Sequence, residues 1–342
     1  MTISRGTALG LVAVAMSCLP SAASADPPGG PNPPNTVVSM AVSPDGKYLV
    51  ASPGGGSVAL WDLQARKLVW QCVVHDRTHI PSGAFLPGGK LIAAWGEESI
   101  SGQVKGREIT IRLLELATGK VARSFAIGRY IKCVTVSADG KYLLAGGEGN
   151  PLKLWNVAEG KEIRTFQGGE DTASLALSAD GKFALSGGLG RGHVRLWEVA
   201  TGKECWAVQG HTCWVPVVAF SPNGKHGLSA GDDGHIRIWD FHSGNLVRSI
   251  QVGRADERFH AIVNAAAFTV TGRYVVVTAQ GEPLQLWEVA TGKLALTFQT
   301  DQHCRELIVV TPDGRYVLTT ALEIWDIRSG KKVGCVAEPS KP

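Results

Sequence analysis

Three residues have the types that chemistry needs and fall within one short stretch: His211, Ser229 and Asp233. A serine activated by a histidine that a carboxylate orients is the arrangement of nucleophilic acyl transfer. The same three residues, with Trp239 six positions further on, also fit a buried network. There a histidine between a hydroxyl, a carboxylate and an indole satisfies all its hydrogen bonds and locks a loop to a strand. The structural reading is adopted, and no catalytic residue is assigned. Two histidine pairs, His75 with His79 and His260 with His303, have the chemistry of metal ligands. They are read as solvated loop histidines, so neither a metal nor a cofactor is expected.

The elements that must position these residues follow from the stretch 210–240, GHTCWVPVVAFSPNGKHGLSAGDDGHIRIWD. Three short apolar alternations are separated by turn signals at Pro222-Asn223-Gly224 and Asp232-Asp233-Gly234, and LVRSIQV follows after His242-Ser243-Gly244-Asn245. That pattern predicts a four-stranded antiparallel meander. The meander recurs, and its period organises the chain. The first turn appears seven times, as SPDGK, LPGGK, SADGK twice, SPNGK, TVTGR and TPDGR. The third strand ends at Trp61, Leu114, Trp155, Trp197, Trp239, Trp287 and Trp325. The second turn reads LATGK, VAEGK, VATGK, FHSGN, VATGK and IRSGK, with Arg66 standing in the first copy where the others have glycine.

On these motifs the chain resembles the WD40-repeat family, the G-protein-beta-like propellers, over essentially all of 36–337. The resemblance implies an all-β, seven-bladed propeller of four-stranded antiparallel blades around a central channel. Blades are expected at about 37–74, 80–126, 131–167, 172–208, 214–252, 262–299 and 305–337. The family often closes its ring with an N-terminal strand in the last blade. Here the repeats begin with an inner strand at Val37 and end with an outer strand, so no strand exchange is expected and closure falls to apolar packing. The resemblance also makes His211, Ser229, Asp233 and Trp239 the structural tetrad of blade 5. No other repeat keeps both the histidine and the aspartate, which leaves the remaining blades to tryptophan packing and turns.

Around the domain, residues 1–25 read as a secretory signal peptide: Arg5, an apolar run from Ala8, and Ala23-Ser24-Ala25 before a cut at Asp26. Residues 26–36 form a Pro/Gly-rich linker. The expected product is an exported protein, of bacterial type, periplasmic or extracellular, without a membrane span. Six cysteines follow the leader, and their scatter over distant blades predicts free thiols rather than disulfides. The net charge of +4, one less without Arg5, is too mild for nucleic acid. A 342-residue chain with 44% hydrophobic residues and 42 glycines suits a single hairpin-rich domain. Blade 2 is the most divergent, with an insertion over Glu97–Glu108.

Aligning the inner strands on the first turn assigns two rows to the channel. One is Val38, Pro81, Lys132, Ala173, Pro216, Asn264 and Glu306; the other is Ser39, Ser82, Cys133, Ser174, Val217, Ala265 and Leu307. One lysine and one glutamate do not make an acid–base site. The chain is therefore read as a non-catalytic interaction scaffold, a monomer that binds a protein or peptide, with an acidic segment favoured. The alternative is a propeller enzyme or small-molecule binder of the lactonase or dehydrogenase type using the channel. Partner contacts are expected from loops entering the inner strands, at Trp214, Arg129 with Tyr130, Arg258 with Phe259 and His260, and Arg305.

Overall fold

The computed structural model describes residues 37, 39–74, 82–99, 107–252, 262–300 and 307–336. They form seven four-stranded sheets, each antiparallel and each with its strands in chain order. The blades span 39–73, 82–128, 131–165, 172–209, 217–251, 263–297 and 308–335. No helix occurs among the described residues. Burial sets the order within a blade. The first strand of blade 4, Thr172–Leu177, is buried at all six positions, whereas the fourth strand of blade 1, Lys67–Val73, is largely exposed. First strands therefore line the axis and fourth strands form the rim.

The first turn holds its shape through side chains rather than glycine alone. Ser43 Oγ donates to Asp45 Oδ1 (2.6 Å) and accepts the amide of Tyr48 (2.9 Å), and Asp45 Oδ1 also takes the amide of Lys47 (3.1 Å). Gly46 sits at φ 72°, where a side chain would be strained. Ser137 with Asp139, Ser178 with Asp180, Ser221 with Asn223 and Thr311 with Asp313 repeat the device. The motif recurs because its local hydrogen bonds close the hairpin with little help from elsewhere.

Neighbouring blades are joined by two repeated contacts. A phenylalanine from one blade packs against the tryptophan of the next: Phe166 on Trp197 with centroids 6.0 Å apart, and Phe298 on Trp325 at 6.4 Å, both edge to face. Such pairs contribute about 0.5–1.5 kcal/mol beyond the area they bury. At the rim, a fourth-strand side chain lies on the second-turn glycine of the following blade. Trp70 meets Gly119, Arg164 meets Gly202, Trp206 meets Gly244, Arg248 meets Gly292 and Leu296 meets Gly330, with the space for a Cβ closed to between 2.8 and 3.0 Å. The indoles of Trp70 and Trp206 also donate to the carbonyls of Leu116 (2.8 Å) and Phe241 (3.0 Å) in those turns.

The junction of blades 7 and 1 reverses this contact. Gly334 faces Ile324 in the register where Trp70 faces Leu60, so the rim side chain is missing. The turn it meets carries Arg66 in place of glycine, at φ 53°, with Nη1 only 2.7 Å from where a Cβ of Gly334 would stand. The arginine fills from one side the space that elsewhere is filled from the other. Behind it Met40 and Leu49 of blade 1 share one core with Ile308, Val310, Leu318 and Trp325 of blade 7. The sheet of blade 7 contains only its own four strands, so among the described residues the ring closes without strand exchange.

Blade 2 uses part of its insertion as strand. The segment Glu97–Glu108 is not wholly a loop: the second and third strands, Leu91–Ser99 and Arg107–Glu115, extend into it and pair Glu97 with Ile109, Glu98 with Glu108 and Ser99 with Arg107. Three extra rungs lengthen this hairpin by roughly 10 Å at 3.3–3.4 Å per residue. The cysteines among the described residues, Cys72, Cys133, Cys205, Cys213 and Cys335, are free thiols.

Candidate interaction face

In a four-stranded meander, the loop between strands two and three and the loop leaving strand four emerge at the same end. At that end one backbone contact recurs in consecutive blades. The carbonyls of Tyr130, Asp171, Trp214 and Ile262, each three residues before an inner-strand position, accept the first amide of the facing loop from Glu148, Leu189, Asp232 and Gln280, at 3.0, 2.6, 3.0 and 2.8 Å. These residues occupy one structural position in blades 3 to 6. Tyr130 and Asp171 hold left-handed backbone at φ 58° and 63°. The Tyr130 carbonyl also fills the space above Gly147, where a Cβ would stand 1.9 Å away, so that glycine is obligatory.

In blades 3 to 5 the side chains at this position are exposed. Tyr130 is 68% exposed, Trp214 is 37% exposed, and Arg129 is exposed beside Tyr130. The backbone under Trp214 is held on both sides. Gly192 takes the amide of His211 (2.9 Å), Gly188 takes that of Val215 (3.1 Å), and the Ser174 hydroxyl donates to the Val215 carbonyl (2.7 Å). An exposed indole on an immobilised loop costs little ordering entropy to use as an anchor. Arg258, Phe259, His260 and Arg305, expected on the same face, lie outside the described residues, as do His75, His79 and His303.

The expected tetrad of blade 5 is formed. Trp239 Nε1 donates to Ser229 Oγ (2.8 Å), Ser229 Oγ meets His211 Nε2 (2.7 Å), and His211 Nδ1 meets Asp233 Oδ1 (2.9 Å). An indole can only donate, so the serine oxygen accepts from Trp239; the ionised Asp233 carboxylate can only accept, which puts the proton of the neutral ring on Nδ1 and leaves Nε2 to take the serine hydrogen. Burial pushes His211 below the usual histidine range against the opposing pull of Asp233. The contact is thus a hydrogen bond between a neutral ring and an anion. Burial alone would raise Asp233, but the bonds from His211 and Arg237 outweigh it and hold its carboxyl far below the carboxylate range.

Sequence reasoning missed the rest of this network. Arg237 Nη1 donates to Asp233 Oδ2 (2.9 Å); it also stands 2.6 Å from His211 Nδ1, and since both nitrogens are donors in this tautomer its hydrogen serves the carboxylate. The amides of Thr212 and His235 add bonds to Asp233 at 3.3 and 3.2 Å. Next to it, burial and the Asp233 charge push Asp232 up to about 6. A serine as close to its neutral histidine as Ser229 still has no open approach, for it is fully buried. This geometry performs a structural task.

The other blades do not rely on tryptophan packing alone, contrary to the sequence reading. Blade 4 keeps half the tetrad, with Trp197 Nε1 donating to Ser186 Oγ (2.9 Å). Trp287 and Trp325 donate to Gln285 (2.9 Å) and Glu323 (3.2 Å), two residues back on their own strands. In blade 3 the serine position is Ala145, and Trp155 Nε1 finds no partner among the described residues. Of the channel rows, Ser82 and Lys132 are partly exposed among the described residues. Ser39, Cys133, Ser174, Val217, Ala265 and Leu307 are buried, as are Ala173, Pro216 and Asn264. Lys132 is the partly exposed titratable member among the described residues, 3.9 Å from Glu148.

No curated protein matches the chain. The family model described as WD domain, G-beta repeat matches residues 31–62, 160–198 and 202–240. Each of the last two stretches runs from just before the fourth strand of one blade to the last residue of the third strand of the next, one past its tryptophan. Those matches, set in a ring of seven four-stranded blades, support a WD40 β-propeller.

Proposed function

We propose that this propeller is an exported, non-catalytic scaffold that captures a protein or peptide segment on the face carrying Tyr130 and Trp214. The fold is consistent with such a role, and one observation carries it to this face. Blades 3 and 5 present an aromatic side chain from the same structural position, each exposed and each on a backbone fixed by hydrogen bonds. Rigid aromatic anchors of this kind dominate interface energetics. Charge selects the partner less than the sequence suggested. The described part of the face carries Glu148, Glu170, Asp171 and Asp232 beside Arg129 and Arg191, a mixture that does not specify an acidic segment.

The test is affinity capture from the native envelope fraction with the wild-type protein and a variant carrying Arg129→Ala, Tyr130→Ala and Trp214→Ala, after both are shown to melt alike. A partner retained by the first and lost by the second is expected. Equal recovery by the two proteins would overturn the assignment of this face.

A further inference from the structure

The chain enters blade 1 on the face that carries Tyr130 and Trp214. Ser39 pairs with Ser52 in the register where Val217 pairs with Ala230. Counted back from that register, Val37 stands in blade 1 where Val215 stands in blade 5, and both are buried. The residue before Val215 is the exposed Trp214; the residue before Val37 is Thr36, where the segment 26–35 joins the propeller. That segment reads DPPGGPNPPN and lies outside the described residues. After Asp26 it has no charged side chain. Pro28, Pro31 and Pro34 recur at every third residue, the period that sets side chains along one edge of a polyproline II helix.

The dimensions of segment and face match. The inner strands of blades 1 and 2, of 3 and 4, and of 4 and 5 approach within 8 Å, Cα to Cα. A ring of seven such steps is roughly 18 Å across and sets blades 1 and 3, and blades 3 and 5, roughly 14 Å apart. Counted back from Thr36 at about 3.1 Å per residue, Pro31 comes level with Tyr130 at about 16 Å and the Pro27–Pro28 pair with Trp214 at about 25–28 Å. Proline rings pack on exposed aromatic side chains, and the preformed helix gives up little entropy in doing so. Charge agrees with this ligand. Arg129 and Arg191 stand among Glu148, Glu170 and Asp171, a mixture that selects neither sign. An uncharged segment that buries only its rings leaves those charges in water. The tether at Val37 supplies an effective concentration on the order of millimolar, so weak stacking suffices.

We propose that the segment 26–35 is the first ligand of its own propeller: it docks in cis as a polyproline II strand across the interaction face, with its prolines on Tyr130 and Trp214, and a partner must displace it. The displacement rests on the interaction-face reading; the docking does not. The test compares the exported chain, residues 26–342, with a variant carrying Pro27→Ala, Pro28→Ala and Pro31→Ala, through the NMR resonances of the Trp214 indole and the Tyr130 amide. Both resonances should move in the variant, by amounts that do not change on dilution. A synthetic peptide of residues 26–35 added to the variant should return them saturably toward their wild-type positions. Trp214→Ala in the variant should weaken peptide binding, read at Tyr130, by about tenfold. Resonances that stay in place in the proline variant, or peptide binding indifferent to Trp214→Ala, would overturn the docking. Wild-type shifts that fade on dilution would hand the segment to another copy and overturn docking in cis. Partner capture lost with Tyr130 and Trp214 while the resonances ignore the prolines would overturn the docking and keep the face. Docking seen together with capture that survives the Tyr130 and Trp214 substitutions would keep the docking and overturn the face.

Discussion

The same substitution in two neighbouring blades measures what the histidine adds to the tetrad. Ser229→Ala and Ser186→Ala each remove a buried hydroxyl that takes a tryptophan N–H, at 2.8 and 2.9 Å, from sites 0% and 3% exposed. In blade 4 the loss orphans one group, the Trp197 donor. In blade 5 it orphans two, because His211 Nε2 also loses the hydrogen it accepts at 2.7 Å. At about 1–3 kcal/mol for each buried group left without a partner, Ser186→Ala should cost about 1–3 kcal/mol and Ser229→Ala about 2–6 kcal/mol. Urea unfolding of the two variants and the wild type, followed by tryptophan fluorescence and far-UV circular dichroism, gives the comparison where the two probes coincide. Amide exchange at Thr212 and Asp232 should accelerate in Ser229→Ala alone. Equal destabilisation in the two blades would refute the proton order from Trp239 through Ser229 to His211, since then the histidine would depend on the serine for nothing.

Acid titration of stability should separate three groups. His211 and Asp233 are held below their ordinary values, so the unfolded chain takes protons first. Their contributions are complete above about pH 6.5 and about pH 3.9 respectively, and are lost as pH falls through the folded-state values. Asp232, raised to about 6, behaves in the opposite sense: its contribution is present below about pH 3.9 and lost as pH rises through about 6. Asp232→Asn should therefore stabilise the protein at pH 7 by about 1–2 kcal/mol after allowance for partial exposure, with no change near pH 3.5; an equal effect at both pH values, read by denaturant titration, would contradict this. At the ring seam, Gly334→Leu should destabilise by crowding the Arg66 guanidinium, and Arg66→Gly should rescue it by recreating the Leu296–Gly330 contact. A double-mutant coupling of about 0.5–3 kcal/mol is expected, and additive losses would show that the two residues do not share a space.

Features that rest on local chemistry were legible in the sequence. The turn that joins Ser43 to Asp45 and Tyr48 closes within six residues, so each copy announces itself and the seven-bladed ring follows from the count. The tetrad was legible because its four residue types sit at one spacing within a single repeat. What could not be read depends on partners far apart in the chain or on loop length. Arg66 stood out as a departure from glycine, but its meaning lies at Gly334 in the last blade. Most described members of the channel rows are buried, and Ser174 spends its hydroxyl on the carbonyl of Val215, a partner 41 residues away that alternation along one strand does not show. Around Ser186 and Ser229 the sequences HVRLW and HIRIW are nearly the same, but blade 4 has a loop two residues shorter before Ser174, no histidine in it, and Gly190 where blade 5 has Asp233. The twin serines, ten and eleven residues before Trp239 and Trp197, were the signal that could have revealed blade 4's half-tetrad.

Each blade is made of unbroken chain, and this sets an order of events during synthesis. A blade's four strands leave the ribosome in succession, so every sheet can pair as soon as its own last strand emerges, without waiting for a distant segment. The growing product is an open arc with one unprotected flank on blade 1. The contact between Arg66 and Gly334 is the one rim joint that cannot form until translation is nearly over. Until that moment the apolar side of blade 1 that later meets blade 7 stands exposed, which makes this seam the stage at which a nascent chain is most open to chaperones and to wrong partners.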